Sequence, residues 1–413
     1  MRTALAFNRR IWSLIRLKAP PALLLRVWGW ILGYLAREFA PWYVALLGVG
    51  IVLAIALGAV GSTLGAVAVG LAALIAALEA RFAWEGWRSA AAIERELEEE
   101  IPGDPPDSRF PRSHLWLPFL TLFARSVERT RNVVFHREER RILRLDVYRS
   151  RADKDAGRKP AVIQVHGGGW ILGSRSEQGI PLLNHLAANG WVGFNVDYQL
   201  SPRATLPDHV IDVKRAIAWV REHADEYGVD PERIAITGGS AGGHLTALAA
   251  LTANDPELQP GFEEADTSVI AAVPFYGVYD LSDELGVYYP ELREWLFERV
   301  VIKKRISDDP ELFRSVSPTH RIHADAPPFM VFHGDSDSLV PVADAREFVR
   351  RLEDASSEHV LYVELPGAEH AFDLLPSLRT ARVVEGIERF LRTVLADEAQ
   401  AAEPVRARVG SRA

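Results

Sequence analysis

The hydrophobic positions change rhythm sharply along this chain. From Phe39 to Leu78 there is no Asp, Glu, Lys or Arg, so no face of that stretch is suited to water. Within it, Trp42 to Val60 is nineteen residues and Ser62 to Leu78 seventeen, against the roughly 20 that cross a hydrocarbon core. Gly61, Ser62 and Thr63 supply a tight turn between them. The pattern predicts a transmembrane helical hairpin with spans at about 42–60 and 62–78; its rival is a helical hairpin buried in a soluble core. A cleaved signal peptide is disfavoured, because the apolar region starts late, is too long, and lacks a clean small-residue cleavage site. Ala22 to Ala36, rich in Leu and Trp but interrupted by Arg26, predicts an interfacial helix with aromatic anchors.

Beyond Leu78 the pattern is that of a soluble domain. Arg81 to Glu100 predicts a solvated helix leaving the membrane, broken by Pro102, Gly103, Pro105 and Pro106. Short apolar runs then read as strands: Ile142 to Tyr148, Ala161 to Val165, Trp191 to Val196, Arg233 to Thr237, Val269 to Phe275, Phe329 to Phe332 and Val360 to Leu365. Helical spacing falls between them at Asp208 to His223, Leu245 to Leu251, Val342 to Leu352 and Arg379 to Leu395. This alternation predicts an α/β fold, a mainly parallel sheet flanked by helices. The aromatic-rich stretch 280–325, with Tyr288, Tyr289, Trp295, Leu296 and Phe297, interrupts the rhythm and predicts a small lid insertion over the sheet's carboxyl edge. The expected partition is an N-terminal membrane-anchoring region at 1–100, a linker at 101–131, a main domain at 132–396 and a disordered tail at 397–413.

Charge and composition narrow the picture. The formal net charge of -8 supplies no basic field to replace phosphate counterions, which argues against a nucleic-acid partner. With no cysteine in 413 residues, disulfides, thiolate metal sites and a cysteine nucleophile are excluded. Arg2, Arg9, Arg10, Arg16, Lys18, Arg26 and Arg37 precede the hairpin against a single Glu38. The positive-inside rule therefore predicts a cytoplasmic N-terminus, and two crossings return the main domain to the cytoplasm; a third crossing at 22–36 would reverse its side.

The chemistry concentrates at carboxyl ends of strands. Gly238-Gly239-Ser240-Ala241-Gly242 follows the strand ending at Thr237 and opens a helix, the context a nucleophile elbow requires. His166-Gly167-Gly168-Gly169-Trp170 follows Val165, and consecutive glycines let backbone N–H groups approach a substrate. Gly168 and Gly169 would form an oxyanion hole with the N–H of Ala241, while His166 orders the loop. The base must come late in the chain, and His370 follows the last strand, whereas His333 and His244 read as structural. A carboxylate is expected after Phe332, where Asp335 and Asp337 both occur; Asp337 is the preferred acid and Asp335 a turn-shaping residue. No Walker loop or His-Glu-x-x-His helix is present, so neither cofactor nor metal is implied.

These residues resemble the hormone-sensitive-lipase-like carboxylesterase branch of the α/β-hydrolase superfamily, and are similar to mycobacterial membrane-associated lipases, over about 132–395. The resemblance implies an α/β-hydrolase fold with Ser240 as nucleophile, Asp337 and His370 completing a triad, and Gly168, Gly169 and Ala241 as oxyanion donors. Two positions depart from it: Gly239 stands where many members carry an acid, and Tyr198-Gln199-Leu200-Ser201-Pro202-Arg203 replaces the usual Tyr-Arg-Leu-Ala-Pro-Glu. The expected activity is hydrolysis of lipophilic carboxylic esters through an acyl-enzyme, with membrane lipid as the partner of the hairpin. The same triad also suits an amidase or peptidase, and a non-catalytic membrane binding protein is the reading from a different class. No pattern specifies an oligomeric state.

Overall fold

The computed structural model describes residues 17–101, 110–111, 125–138, 141–152 and 157–410. The basic residues before 17 and the proline-rich break at 102–106 lie outside this range. Three N-terminal helices come first: α1 (Pro21–Glu38), α2 (Ala40–Ala56) and α3 (Thr63–Glu100). They are followed by β1 (Val127–Glu138), β2 (Arg141–Ser150), β3 (Lys159–Val165), α4 (Ile180–Ala188), β4 (Val192–Val196), α5 (Asp208–Glu222), α6 (Ala224–Tyr227) and β5 (Val229–Gly239). Then come α7 (Ala241–Leu251), β6 (Ala271–Phe275), the π-helix α8 (Glu291–Ile302), α9 (Pro310–Ser315), β7 (Phe329–Gly334), α10 (Val342–Ala355), β8 (Val360–Leu365) and α11 (Leu378–Gly410).

The strands form one eight-stranded sheet in the order β1-β2-β4-β3-β5-β6-β7-β8. β1 with β2 and β2 with β4 are antiparallel; every other pairing is parallel. Helices cover both faces, so the inner strands are buried without alternation: Ala161 to Val165 and Val192 to Val196 are buried throughout, Gln164 and Asn195 included. All seven strands expected from the sequence are present. The eighth, β1, begins at Val127, inside the segment expected to be linker; it is a charged edge strand with only Val127 and Phe135 buried.

The N-terminal region departs from a simple hairpin. The helix starting at Thr63 does not stop near Leu78 but continues unbroken to Glu100, because Ala, Glu, Arg and Leu are all good helix formers. Its second half is not a solvated helix: Ser89, Ile93 and Leu97 are buried, and Ile93 and Leu97 join the cluster formed with Met330, Leu361, Val363, Val384 and Ile387. The reversal between α2 and α3 is made by Gly58 at φ +80 and by Ser62, whose hydroxyl caps α3 by accepting from Gly65 N–H at 3.1 Å. Among the described residues, Thr63–Glu99 is long and apolar enough to cross a membrane, with its apolar window unburied, and α1 and α2 form a pair bent by 67°. α11 continues to Gly410 through the segment expected to be a disordered tail, where Ala, Glu and Arg extend an established helix.

Candidate active site

β5 delivers Ser240 and α7 departs from it. Ser240 sits at φ 58, ψ -122, a conformation that costs free energy for a non-glycine residue and is held by its surroundings. Its N–H donates to Phe275 O at 2.9 Å and its carbonyl accepts from His244 N–H at 3.0 Å. The small neighbours are a steric demand: a Cβ on Gly238 would lie 2.6 Å from Val165 O, and one on Gly242 2.2 Å from the same atom. The glycine-flanked serine is thus turned outward, half-buried, at the edge of the sheet.

The loop after β3 lies alongside, with the space for a Cβ on Gly167 only 3.1 Å from Ser240 Cβ. Gly168 and Gly169 have φ +120 and +58, and a Cβ on Gly168 would fall 2.3 Å from Leu172 O. Gly167 N–H is taken by Gln178 Oε1 at 2.6 Å. Among the described residues the N–H groups of Gly168, Gly169 and Ala241 donate to no protein acceptor, which leaves them available to a ligand. His166 holds the loop as expected: its Nδ1 is 2.9 Å from Gly167 O and its ring stacks on Tyr198 at 4.4 Å between centroids.

Asp337, after β7, and His370, after β8, meet with Nδ1 to Oδ2 at 2.7 Å. The Asp337 carboxylate is fully buried and fully used: Oδ1 accepts from Leu339 N–H at 2.9 Å and Val340 N–H at 2.8 Å, and His333 Nε2 is 3.3 Å from Oδ2. Burial pushes this carboxyl up, but the His370 charge and the bonds from His333 and His370 outweigh burial and hold it well below the usual carboxylate range. Asp335 turns elsewhere, accepting from Gly367 N–H at 2.7 Å, as a turn-shaping residue should. His244 is structural: Trp170 Nε1 donates to its Nδ1 at 3.2 Å, Nε2 faces Val316 O at 2.7 Å, and burial pushes its pKa down to about 4.

Two neighbours, Tyr276 and Glu369, were not foreseen, and a third, Leu296, comes from the stretch expected to form a lid. Tyr276 packs its ring 4.6 Å from that of His370 and fills the space beside Gly239, where a Cβ would lie 2.6 Å from the Tyr276 hydroxyl. That hydroxyl donates to Asp373, whose carboxyl burial pushes up. The absent acid at position 239 is therefore matched by a tyrosine occupying its room, with a carboxylate behind it. Leu296 of α8 reaches the oxyanion loop, its Cδ2 3.5 Å from where a Gly169 Cβ would stand. Glu369 Oε1 accepts from His370 N–H at 2.9 Å and from Ser338 N–H at 2.7 Å, joining the two loops that carry His370 and Asp337. Tyr276, close after a strand end, and Leu296, in the aromatic-rich stretch, carried a signal in the sequence, and Glu369 did not.

Comparison with known proteins finds esterases. The BD-FAE family model matches residues 145–352. The chain is 52% identical over 261 residues to the probable carboxylic ester hydrolase LipM of Mycobacterium tuberculosis, covering 63% of this chain and 60% of that protein. It is 49% identical over 251 residues to esterase LipQ of the same organism, covering 60% and 59%. The match thus spans about 60% of the length of these curated relatives. Among solved structures, butyrate-bound esterase Est2 of Thermogutta terrifontis aligns with a TM-score of 0.55 at 31% identity, covering 66% of this chain and 95% of that one. The same organism's esterase 2 phosphoramylated by tabun aligns at 0.54 and 31%, covering 65% and 95%.

Proposed function

The chain belongs to the BD-FAE family, and from that premise we propose that it is a serine carboxylesterase or lipase acting on lipophilic carboxylic esters. Ser240 Oγ attacks the ester carbonyl as His370 Nε2 takes its proton; the Oγ–acyl bond forms and the alcohol leaves with that proton. Water, deprotonated by His370, then releases the acid and restores the serine. Asp337 fixes the tautomer of His370 and stabilises its imidazolium form, and the N–H groups of Gly168, Gly169 and Ala241 receive the oxyanion. Each such donor is worth about 100- to 1,000-fold in rate. The observation that carries this reading is the 2.7 Å bond between His370 and the buried Asp337, with Tyr276 packed between His370 and the turn that holds the strained Ser240.

The apolar N-terminal helices support membrane association. In this reading α2 and the first half of α3 cross the bilayer, the basic N-terminus stays in the cytoplasm, and the active site faces the cytoplasm. The stretch 280–325, which places Leu296 over Gly169, acts as a lid and shapes the acyl pocket. Hydrolysis of p-nitrophenyl esters from acetate to palmitate by the full-length protein, with Ser240→Ala as control, tests the proposal. Turnover that survives in the variant, or a folded wild type that neither turns over nor reacts with a fluorophosphonate, would refute it.

A further inference from the structure

Helix α1 has two faces. Leu23, Tyr34 and Glu38 are buried, whereas Leu25, Trp28, Leu32 and Leu35 are exposed. Three contacts from the inward side fall on one short loop, Gly367 to His370. Trp30 Nε1 donates to His370 O at 2.6 Å, and Arg37 donates to Gly367 O at 2.8 Å. Gly33 lies so close that an added Cβ would stand 3.0 Å from Glu369 Oε2. Glu369 in turn holds His370 N–H and Ser338. The end of α1 nearer Pro21 rests on the 280–325 stretch, with Arg26 3.5 Å over the Tyr289 ring and 4.0 Å from Glu291.

We propose, building on the esterase reading, that Trp30 is a positioning residue for His370. Through it, turnover depends on how α1 is seated. The imidazole of a general base must sit within hydrogen-bond reach of the proton it takes, and a misplacement of about 1 Å can cost on the order of 100-fold. The indole holds the main chain of His370 itself, so a shift of α1 is transmitted to the base without passing through the sheet. The outward apolar face of α1 leads across the bend at Phe39 into α2, whose apolar surface is also exposed. A lipid surface under these helices therefore sets the position of the helix that holds the base.

The test uses the full chain in phosphatidylcholine nanodiscs and two variants. Trp30→Phe keeps the ring and removes the donor; it should lower kcat by about tenfold or more while KM and Tm stay near wild type. Gly33→Ala adds helix propensity, so it should hold or raise Tm, yet crowd Glu369 and lower kcat. A role confined to stability would move Tm and leave kcat per folded molecule alone. Both variants turning over at the wild-type rate would overturn the positioning role, as would a change confined to KM; should Trp30→Phe fail to fold, Gly33→Ala decides. A wild type that a fluorophosphonate does not label on Ser240 sinks the esterase reading instead, so the two failures are distinguishable.

Discussion

Replacing Asp337 with asparagine preserves shape and exchanges an acceptor for a donor, which makes it the sharpest probe of the proposed triad. The carboxylate satisfies Leu339 and Val340 N–H with Oδ1, at 2.9 and 2.8 Å, and His370 Nδ1 with Oδ2 at 2.7 Å. An amide has one oxygen for these two duties. Turned so that its NH2 faces Leu339 and Val340, it would strand two buried donors, at about 1–3 kcal/mol each. The oxygen will therefore keep the backbone pair, and the NH2 will face His370 Nδ1. That drives the imidazole proton to Nε2, where it blocks acceptance of the Ser240 proton. The expected loss in kcat is about 10⁴-fold, the scale of a wrong-tautomer triad, equivalent to about 5.5 kcal/mol of transition-state stabilisation. The assay is p-nitrophenyl butyrate hydrolysis by full-length protein, with Tm showing that the fold is retained and Asp335→Asn as the control that keeps most activity. A loss below about tenfold for Asp337→Asn would refute the assignment, and a large loss for Asp335→Asn would transfer it to that residue.

Other consequences follow from neighbouring features. Leu296→Ala should shift the preferred p-nitrophenyl ester to longer acyl chains, changing the long-to-short kcat/KM ratio by roughly tenfold; an unchanged profile would place the acyl pocket elsewhere. Burial, partly offset by bonds from the Tyr288 hydroxyl and from Tyr279 N–H, pushes the Asp344 carboxyl up to about 6. A raised folded pKa means that the unfolded chain ionises first, so this group's stabilisation is complete below about pH 4 and lost as pH rises through about 6, by up to roughly 3 kcal/mol. Asp344→Asn should flatten that part of the Tm-versus-pH curve, and an unaltered slope would count against it. A chain beginning after Pro106 loses Ile93 and Leu97, worth about 1.5–3 kcal/mol each against a typical total of about 5–15 kcal/mol, and leaves buried Arg379 without Glu38 and Ser89. It should aggregate on size-exclusion chromatography; a monomer with a cooperative melt near that of the full chain would contradict the packing described.

The parallel sheet was legible because burial on both faces writes uninterrupted apolar runs such as Phe329 to Phe332. β1 was not: an edge strand reading Val-Glu-Arg-Thr-Arg buries too little to leave a period. Ser240, Gly168, Gly169 and Ala241 could be named because steric demand restricts which residues fit a tight turn. Asp337 and His370 followed from their place after consecutive strands. The contacts of Tyr276, Asp373 and Trp30 were invisible, since they join segments far apart in sequence. The most instructive departure is α3: a change in composition after Leu78 suggested a change of element, whereas only the surroundings change while the helix continues. Buried Arg379, paired with Glu38 and bonded to Ser89, shows why polar residues there misled, as charge implies water only where no partner is supplied.

An uninterrupted α3 also removes a joint. At 1.5 Å per residue, about 22 Å of helix separates Leu78 from Ile93, with the apolar half exposed at one end and the core of the sheet gripping the other. A flexible tether would let the domain roam and present its mouth in any direction. A stiff mast instead fixes the altitude and compass bearing of Ser240 relative to that apolar half.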